Sequence, residues 1–363
     1  MPVRKLRGQP IHGKWMATPV KDGAWLEWIA GLMGAASRQR HTAMLPPQQF
    51  HCLLDELPLH LIPPHGLDRR LQWLDPAQPL FLNPECMVLP PGILPTELEA
   101  HRELLERFHL QSTIAWVHDP VTGSVHPFWL GPELEAIVSN LQAGEPLPAS
   151  LPQAQRRLLA GAGILTVADY AQHRLEAWSA LVSKRRRMFQ EKNYAPLGDL
   201  IHPFHLAALR RYYRYAIRRG AIWLGDEQSS LRFVAHNEPV SRYFHHQIAK
   251  AVADVAGEPV KPSYVYLASY MSGAELKKHT DREQCEFSVT LCLDFSPEPE
   301  LATPWPIRLE TPEGIVTAFQ ALGDGLVYRG TRVPHYRDRL APGYTSTSLF
   351  FHYVPADFSG SLD

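Results

Sequence analysis

The chain has 363 residues, and its 36 lysines and arginines against 37 aspartates and glutamates leave a net charge of −1. A balance so close to zero excludes a generally basic nucleic-acid-binding protein and a highly charged disordered chain. Apolar residues make up 45% and charged residues 20%, which is typical of a globular protein with a buried core.

The same composition bears on the compartment. Four cysteines are too few for a disulfide scaffold, and no apolar stretch follows the basic N-terminus as it would in a secretory signal. No run of 18 apolar residues is available to cross a membrane. We therefore expect a cytoplasmic protein that makes no use of a membrane.

Residues 1–110 are predicted to be a proline-rich, irregular and partly helical N-terminal region. The spacing of apolar residues indicates helices at 25–37, 48–57 and 97–108. Prolines separate these segments and favour loops between short elements.

Residues 111–170 are predicted to form a small α+β module. Two strands, at 112–118 and 124–130, flank a turn, and helices follow at 132–141 and 151–161. A hairpin beside two short helices fits a winged-helix-like module or a plain α+β support domain, and the second interpretation is favoured.

Residues 171–363 are predicted to contain a helical lead-in and then a run of strands. The lead-in is basic, with ten lysines and arginines between 184 and 219, and Arg210, Arg214 and Arg218 share one helix face. A solvated face paired with carboxylates elsewhere is favoured over a surface for nucleic acid, which the basic segment nevertheless leaves open.

The final third of the chain changes to strands. A helix at 240–256 precedes them, turn residues separate them, and no helix lies between them, which indicates a β-sandwich or small barrel. The predicted fold class is α+β. The predicted strands are 263–270, 286–295, 307–311, 314–319, 325–328 and 345–354.

One motif in this third has the spacing of a metal site. His279 and Asp281 lie two residues apart, so an extended backbone directs both side chains to the same side. His335 begins a loop after a later strand and could supply a third ligand. Two imidazoles and one carboxylate on one face leave positions open, as in non-haem Fe(II) oxygenases.

With these residues in place, the segment 263–354 resembles the 2-oxoglutarate/Fe(II)-dependent oxygenases, and most closely their prolyl-hydroxylase-like branch. Tyr270 and Gly273 match the tyrosine and glycine turn that precede the first ligand histidine in that branch. The resemblance implies a C-terminal double-stranded β-helix, or jelly roll, with flanking helices. It also implies Fe(II), 2-oxoglutarate as cosubstrate and O₂, with Tyr270 near the cosubstrate.

The sequence departs from the family at one position. Members usually carry a lysine or arginine about ten residues after the second histidine, which pairs with the far carboxylate of 2-oxoglutarate, whereas this chain has Thr345 there. A buried carboxylate without a charge partner would be costly. Three alternatives remain: a relocated arginine, of which Arg337 and Arg329 are preferred; hydroxyls of Tyr270, Thr345 and Thr347; or a different cosubstrate.

These observations predict a dioxygenase that hydroxylates an organic substrate. Tyr266, Arg282 and Trp305 are candidates for the substrate pocket. The substrate is a peptide or protein side chain or a small molecule, including a small natural product. The alternative is a metal-binding or catalytically inactive β-helix protein that acts as a binding module.

Overall fold

The computed structural model describes residues 48–63, 78–141, 144–147 and 151–363. The predicted helix at 25–37 lies outside these residues. Within them helices and antiparallel sheets are both present, which confirms the mixed α and β composition expected from the sequence. No helix of the described part is both long and apolar enough to cross a membrane.

The described residues contain short and long strands in two groups, one before residue 170 and one after residue 190. In chain order the strands are β1 (Phe81–Leu82), β2 (Cys86–Leu89), β3 (Ile114–His118), β4 (Val125–Trp129), β5 (Leu165–Thr166), β6 (Tyr194–Leu197), β7 (Trp223–Leu224), β8 (Arg232–His236), β9 (Val260–Tyr270), β10 (Leu276–His279), β11 (Phe287–Ser296), β12 (Ile307–Thr311), β13 (Gly314–Ala318), β14 (Gly325–Tyr328), β15 (His335–Arg337) and β16 (Thr345–Pro355).

Helices occupy the chain before and between these strand groups. In chain order they are α1 (Thr96–Glu99), α2 (Pro132–Ser139), α3 (Gln153–Gly161), α4 (Tyr170–Lys192), α5 (Pro203–Arg218), α6 (Pro239–Gln247) and α7 (Ala249–Ala256). The helix predicted at 240–256 is thus two helices, which meet at Ile248.

Of the helices predicted in the N-terminal region, the one at 48–57 is wrong and the one at 97–108 is present only in part. Only a 3₁₀ turn, Leu54–Glu56, forms within 48–57, because the backbone of Phe50 pairs instead with residues 107 and 109. The ring of Phe50 packs against Phe108. The segment 97–108 is divided between α1 and a 3₁₀ turn, Arg102–Leu105, so its apolar residues reach the core without one continuous helix.

The predicted hairpin is present as β3 and β4, and β2 adds a third antiparallel strand. Asp119 stabilises the turn because its carboxylate accepts a hydrogen bond from the backbone N–H of Val121. The Tyr243 hydroxyl on α6 donates to the carbonyl of Val125, and this bond ties the hairpin to the rest of the protein. The division of the chain at 110 and 170 stays a prediction.

The later strands form two antiparallel sheets. The large sheet has the order β6-β14-β11-β16-β9-β8-β7, and the small one β10-β15-β12-β13. The six strands predicted here are confirmed with small shifts at their ends. β10 and β15 were not predicted, because segments of four and three residues with Lys and Arg carry no apolar alternation.

The two sheets pack face to face. Tyr194, Leu326 and Tyr328 of the large sheet form an apolar cluster with Ile307 and Leu309 of the small sheet. Residues paired in register across neighbouring strands point to the same face of a sheet. Ser288 and His352, which follow Tyr328 in register, therefore point to the small sheet as well. The opposite face of the large sheet packs on the helices, where the rings of Phe189 and Phe287 meet.

The basic segment 184–219 is partly internal. Arg210 is fully buried and donates from Nε to Asp294 Oδ1 at 2.9 Å, and Arg214 donates to the same carboxylate at 2.6 Å. Arg210 also pairs with Glu298. These two arginines therefore meet carboxylates of β11 and of the loop that follows it. The expectation that nucleic acid is not a partner stays a prediction.

Candidate metal centre

Two short strands bring the candidate ligands together. β10 and β15 pair in antiparallel fashion, and His279 lies directly opposite His335, with the ring centroids 4.4 Å apart. Asp281 follows two residues later, and its backbone N–H donates to the carbonyl of Gly330 at 2.9 Å. The structure therefore places the three residues predicted as ligands at one point.

The distances among the three side chains suit one small cation. Nε2 of His279 and Nε2 of His335 each lie 3.5 Å from Oδ1 of Asp281. The ligand atoms of the three residues all lie within 4.8 Å of one another. Two neutral imidazoles and a carboxylate match the donor set of Fe(II) sites with open positions.

The other ring nitrogen of each histidine is already committed. Nδ1 of His279 lies 2.7 Å from the carbonyl oxygen of Lys277, and Nδ1 of His335 lies 3.0 Å from that of Val333. A carbonyl oxygen only accepts, so each Nδ1 carries a proton and Nε2 is the nitrogen left to face Asp281 and a metal ion. This arrangement orients imidazoles for metal binding.

The electrostatics keep the carboxylate ionised. Burial alone would raise the pKa of Asp281, but the hydrogen bond from His279, the nearby His352 and His335, and the Ser288 hydroxyl hold it well below its usual range. The same contact with Asp281 raises the pKa of His279. Burial lowers the pKa of His335, which favours its neutral, metal-binding form.

A cavity of about 420 Å³ opens beside these residues. Its walls combine aromatic rings with charged groups, including Tyr264, Tyr266, Arg232, Arg282 and His352. A larger cavity of about 760 Å³ lies beside α4 and the β3–β4 turn. In the part of the chain that the structure describes, the larger cavity borders no comparable cluster of ligand side chains.

The predicted substrate residues divide into two groups. Tyr266 and Arg282 line the cavity, and their contact with a substrate stays a prediction. Trp305 is buried behind the wall, where its ring lies 5.0 Å from the ring of Tyr270. It contacts Tyr270 rather than the cavity itself.

Of the two arginines considered for the cosubstrate, Arg329 already has carboxylate partners. It donates to Glu286 at 2.6 Å and lies over the rings of Phe189 and Phe287. Arg337 is buried and bonds to the carbonyl of Trp305 and the side chain of Gln320. No carboxylate of the described residues pairs with Arg337, and its Nε has no hydrogen-bond partner among them.

Arg337 lies close to the inner wall of the cavity. Burial raises the pKa of both Tyr270 and Tyr328, which line the cavity, and the charge of Arg337 partly offsets the rise in each. Ser348 is also turned to this side, and within the described residues its buried hydroxyl has no partner. The guanidinium of Arg337, which has no carboxylate partner among the described residues, and the hydroxyl of Ser348 thus lie between the large and the small sheet.

Thr345 and Thr347 lie on the other face of the large sheet. Thr347 pairs in register with Ser269, and their hydroxyls are 2.8 Å apart, whereas the neighbouring pair is Ser346 with Tyr270. Because alternate residues point to opposite faces, Tyr270 faces the cavity and the two threonines face the helices.

Four residues around the centre were not identified from the sequence. Arg232 lines the cavity and donates to the Tyr270 hydroxyl at 3.0 Å. Ser288 donates to the carboxylate of Asp281, and His352 is hydrogen-bonded to Ser288. Gly330 packs against Asp281. The pairing of the strands reveals them, because Arg232 is opposite Tyr270 and Ser288 is opposite His352. The strand register cannot be obtained from the sequence alone, so these residues could not be predicted.

No protein-family model matches this sequence, and no curated protein does. Solved structures do show similarity over about half of the chain. One is SnoN, a non-haem α-ketoglutarate-dependent epimerase from nogalamycin biosynthesis, at 13% identity, with 49% of this chain and 84% of SnoN covered and a TM-score of 0.40.

Two others are HygX from Streptomyces hygroscopicus, solved with nickel and 2-oxoglutarate, and a prolyl-4-hydroxylase from Pseudomonas putida. HygX is 12% identical, with 48% of this chain and 87% of HygX covered and a TM-score of 0.39. The hydroxylase is 15% identical, with 48% of this chain and 100% of the hydroxylase covered and a TM-score of 0.39. Oxygenases of the class that the sequence resembles are therefore among the structures to which this chain is similar.

Proposed function

We propose that this chain is an Fe(II)- and 2-oxoglutarate-dependent dioxygenase that hydroxylates an organic substrate. The observation that carries the proposal is the convergence of His279 Nε2 and His335 Nε2 on one oxygen of Asp281, with both Nδ1 atoms committed to backbone carbonyls. In this proposal the large and small sheets are the two sides of a C-terminal double-stranded β-helix.

The fit of the residues to iron supports this reading. His279 and His335 would bind through Nε2 and Asp281 through Oδ1, while Ser288 holds Oδ2 at 2.7 Å. Three protein ligands would leave further coordination positions of the ion for the cosubstrate and O₂. When bound, Fe(II) would allow O₂ to react with 2-oxoglutarate, giving succinate, CO₂ and a hydroxylated substrate.

The protein's own contribution begins with holding the cosubstrate. We assign the far carboxylate of 2-oxoglutarate to Arg337, because this guanidinium is buried without a carboxylate partner among the described residues. A buried cation that lacks a counter-charge is costly, and a bound carboxylate removes that cost. Ser348 and Tyr270 line the same interior and supply hydroxyls.

The cavity restricts what is oxidised. About 420 Å³ must hold the cosubstrate and the reacting part of the substrate. That volume suits a small molecule or a single side chain of a peptide, and Tyr264 and Tyr266 would exclude water beside the reacting carbon.

The test measures 2-oxoglutarate turnover in the presence of Fe(II) and O₂. We expect succinate formation in the wild-type chain, and its loss in Asp281→Ala. In Arg337→Met the KM for 2-oxoglutarate should rise about tenfold to a hundredfold, because a charge-assisted hydrogen bond contributes about 1.5–3 kcal/mol. Arg329→Met is the matched control, and its KM should stay near that of the wild type because Arg329 pairs with Glu286.

Two results would contradict the proposal. Metal binding without any O₂-dependent succinate would favour the alternative of a non-catalytic metal-binding module. A larger KM effect in Arg329→Met than in Arg337→Met would show that the cosubstrate cation is assigned to the wrong residue.

A further inference from the structure

A chain of hydrogen bonds leads from the proposed metal ligand to the cavity wall. Ser288 on β11 lies opposite His352 on β16 in the sheet register. The Ser288 hydroxyl is 2.7 Å from Oδ2 of Asp281 and 2.9 Å from Nδ1 of His352. The serine therefore bridges the carboxylate and the imidazole.

The positions of the protons follow from what each group can donate. An ionised carboxylate only accepts, so the single proton of Ser288 goes to Asp281. The carbonyl of Cys285, at 3.3 Å, is a longer and uncharged alternative for that proton. Ser288 must then accept from His352, which places the His352 proton on Nδ1.

The consequence lies on the opposite side of the ring. His352 is buried, and a buried imidazole without a carboxylate bonded to it favours the neutral form, which has one N–H; with that proton on Nδ1, Nε2 is a hydrogen-bond acceptor. His352 lines the cavity beside Tyr264, with the ring centroids 4.6 Å apart. No described residue is hydrogen-bonded to this Nε2.

We propose that His352 orients the substrate, with Nε2 accepting a hydrogen bond from a substrate hydroxyl or N–H next to the carbon that is oxidised. The proposal rests on the proposed function, and Ser288 and Asp281 are the residues that fix His352 as an acceptor. The substrate class is a neutral molecule or side chain that carries such a donor.

The charges of the cavity support a neutral substrate. Arg232 pairs with Asp226, so neither is available to a charged group of the substrate. Glu227 and Arg282 carry opposite charges in the same lining. Apart from Asp281, which is assigned to the metal, the carboxylates and arginines of the lining balance, and the open Nε2 is an acceptor next to the metal ligands.

Nitrogen-15 NMR of the histidines tests the tautomer in the Zn(II)-loaded chain. We expect His352 to carry its proton on Nδ1 and to have an unprotonated Nε2. The Nε2 resonance should shift with glycerol, which donates hydroxyls, and stay in place with 1,2-dimethoxyethane, which has none. A protonated Nε2, or a resonance that responds to both compounds or to neither, overturns the proposal.

Metal affinity tests the connection to Asp281 independently. The amide of Asn can replace the Nδ1 donor of histidine, whereas that of Gln extends to the position of Nε2. In a Co(II) titration, His352→Gln and His352→Phe should lose about tenfold in affinity, as expected for an outer partner of a metal ligand. His352→Asn should stay close to wild type, and equal affinities for the Asn and Gln variants would overturn the role of Ser288.

The two proposals fail in different ways. Both measurements use Zn(II) or Co(II) without 2-oxoglutarate or O₂, so a chain that forms no succinate still reports the His352 tautomer. Succinate formation with His352 protonated at Nε2 would overturn the substrate role of His352 alone.

Discussion

Gly330 lies against the proposed ligand Asp281 more closely than any side chain would permit. A Cβ atom built at this position would lie 2.5 Å from the carbonyl oxygen of Cys285 and 2.5 Å from the Ser288 hydroxyl, and it would also clash with the Asp281 carboxylate. The backbone of Gly330 accepts a hydrogen bond from the N–H of Asp281 at 2.9 Å. A glycine is therefore required for both the position and the orientation of this ligand.

We expect Gly330→Ala to lower Co(II) affinity by about tenfold and to destabilise the fold by about 1–3 kcal/mol, because the new methyl group displaces Asp281 and Ser288. Metal titration and thermal unfolding measure the two effects. Gly360→Ala is the control, because the atoms it meets belong to the Phe358 ring, near the end of the described chain. Unchanged metal affinity in Gly330→Ala would contradict the packing described for Asp281.

At this scale the sequence predicted the proposed ligands but not their surroundings. The spacing of His279 and Asp281 is local, and the place of His335 directly after a predicted strand indicated the third ligand. Ser288, Gly330 and His352 act through strand register and close approach, which depend on the sheets that bring distant residues together. Arg337 was among the predicted cations because it is near His335 in the sequence, and the structure places both residues on β15.

The element that fixes the large sheet to the helical layer is α5. Asp294 on β11 accepts from both Arg210 and Arg214, and all three side chains are largely removed from solvent. A buried pair that loses one partner leaves an uncompensated charge, which typically costs several kcal/mol. The basic helix face read from the sequence is therefore in part a structural contact.

We expect Asp294→Asn to destabilise the protein by about 3 kcal/mol in chemical denaturation, because Arg210 stays buried with less counter-charge. Asp338→Asn is the matched control: its pair with Arg308 is exposed, so the change should be within about 1 kcal/mol. Equal effects of the two substitutions would contradict the role assigned to Asp294.

The same carboxylate predicts a pH dependence. Although burial alone would raise its pKa, Arg210 and Arg214 hold the pKa of Asp294 at about 2, below the ordinary 3.8. Its contribution is therefore complete above about pH 4 and is lost as the pH falls to about 2. Over that window the wild type should lose about 2 kcal/mol more stability than Asp294→Asn.

Element prediction succeeded where a strand or helix is long and apolar. The strands at 287–296 and 345–355 are almost wholly buried and have strong apolar runs. β10 and β15 are short and charged, and tertiary pairing with each other and with β12 makes them strands. The helix expected at 48–57 failed for the same reason, since pairing with residues 107 and 109 overrides its local preference.

At the scale of the whole molecule, one apolar core joins the hairpin to the large sheet in the part of the chain that the structure describes. Buried residues from Phe50 through Phe128 and Phe244 to Tyr353 belong to a single cluster, so the hairpin and the large sheet are not separated by solvent in the described residues. Such continuity predicts cooperative unfolding. The two-sheet unit and the hairpin should therefore lose their structure together.

This prediction is checked by following one denaturant titration with two probes. Fluorine-19 NMR of the chain labelled with 5-fluorotryptophan resolves Trp116 and Trp129 of the hairpin among the nine tryptophans, and far-ultraviolet circular dichroism reports on the whole chain. We expect coincident transitions. Trp129→Phe assigns the Trp129 resonance by its absence, and a midpoint of the hairpin resonances that differs from the dichroism midpoint of the wild type would show that the hairpin unfolds as its own unit.

The central claim is that His279, Asp281 and His335 hold one Fe(II) with positions left for 2-oxoglutarate. Anaerobic addition of 2-oxoglutarate to the Fe(II)-loaded chain, followed by visible absorption, tests it most directly. We predict a weak charge-transfer band that saturates at one iron per chain and is absent in His279→Ala, Asp281→Ala and His335→Ala. A wild-type chain that binds Fe(II) but shows no such band, or a band that persists in those variants, would contradict the account.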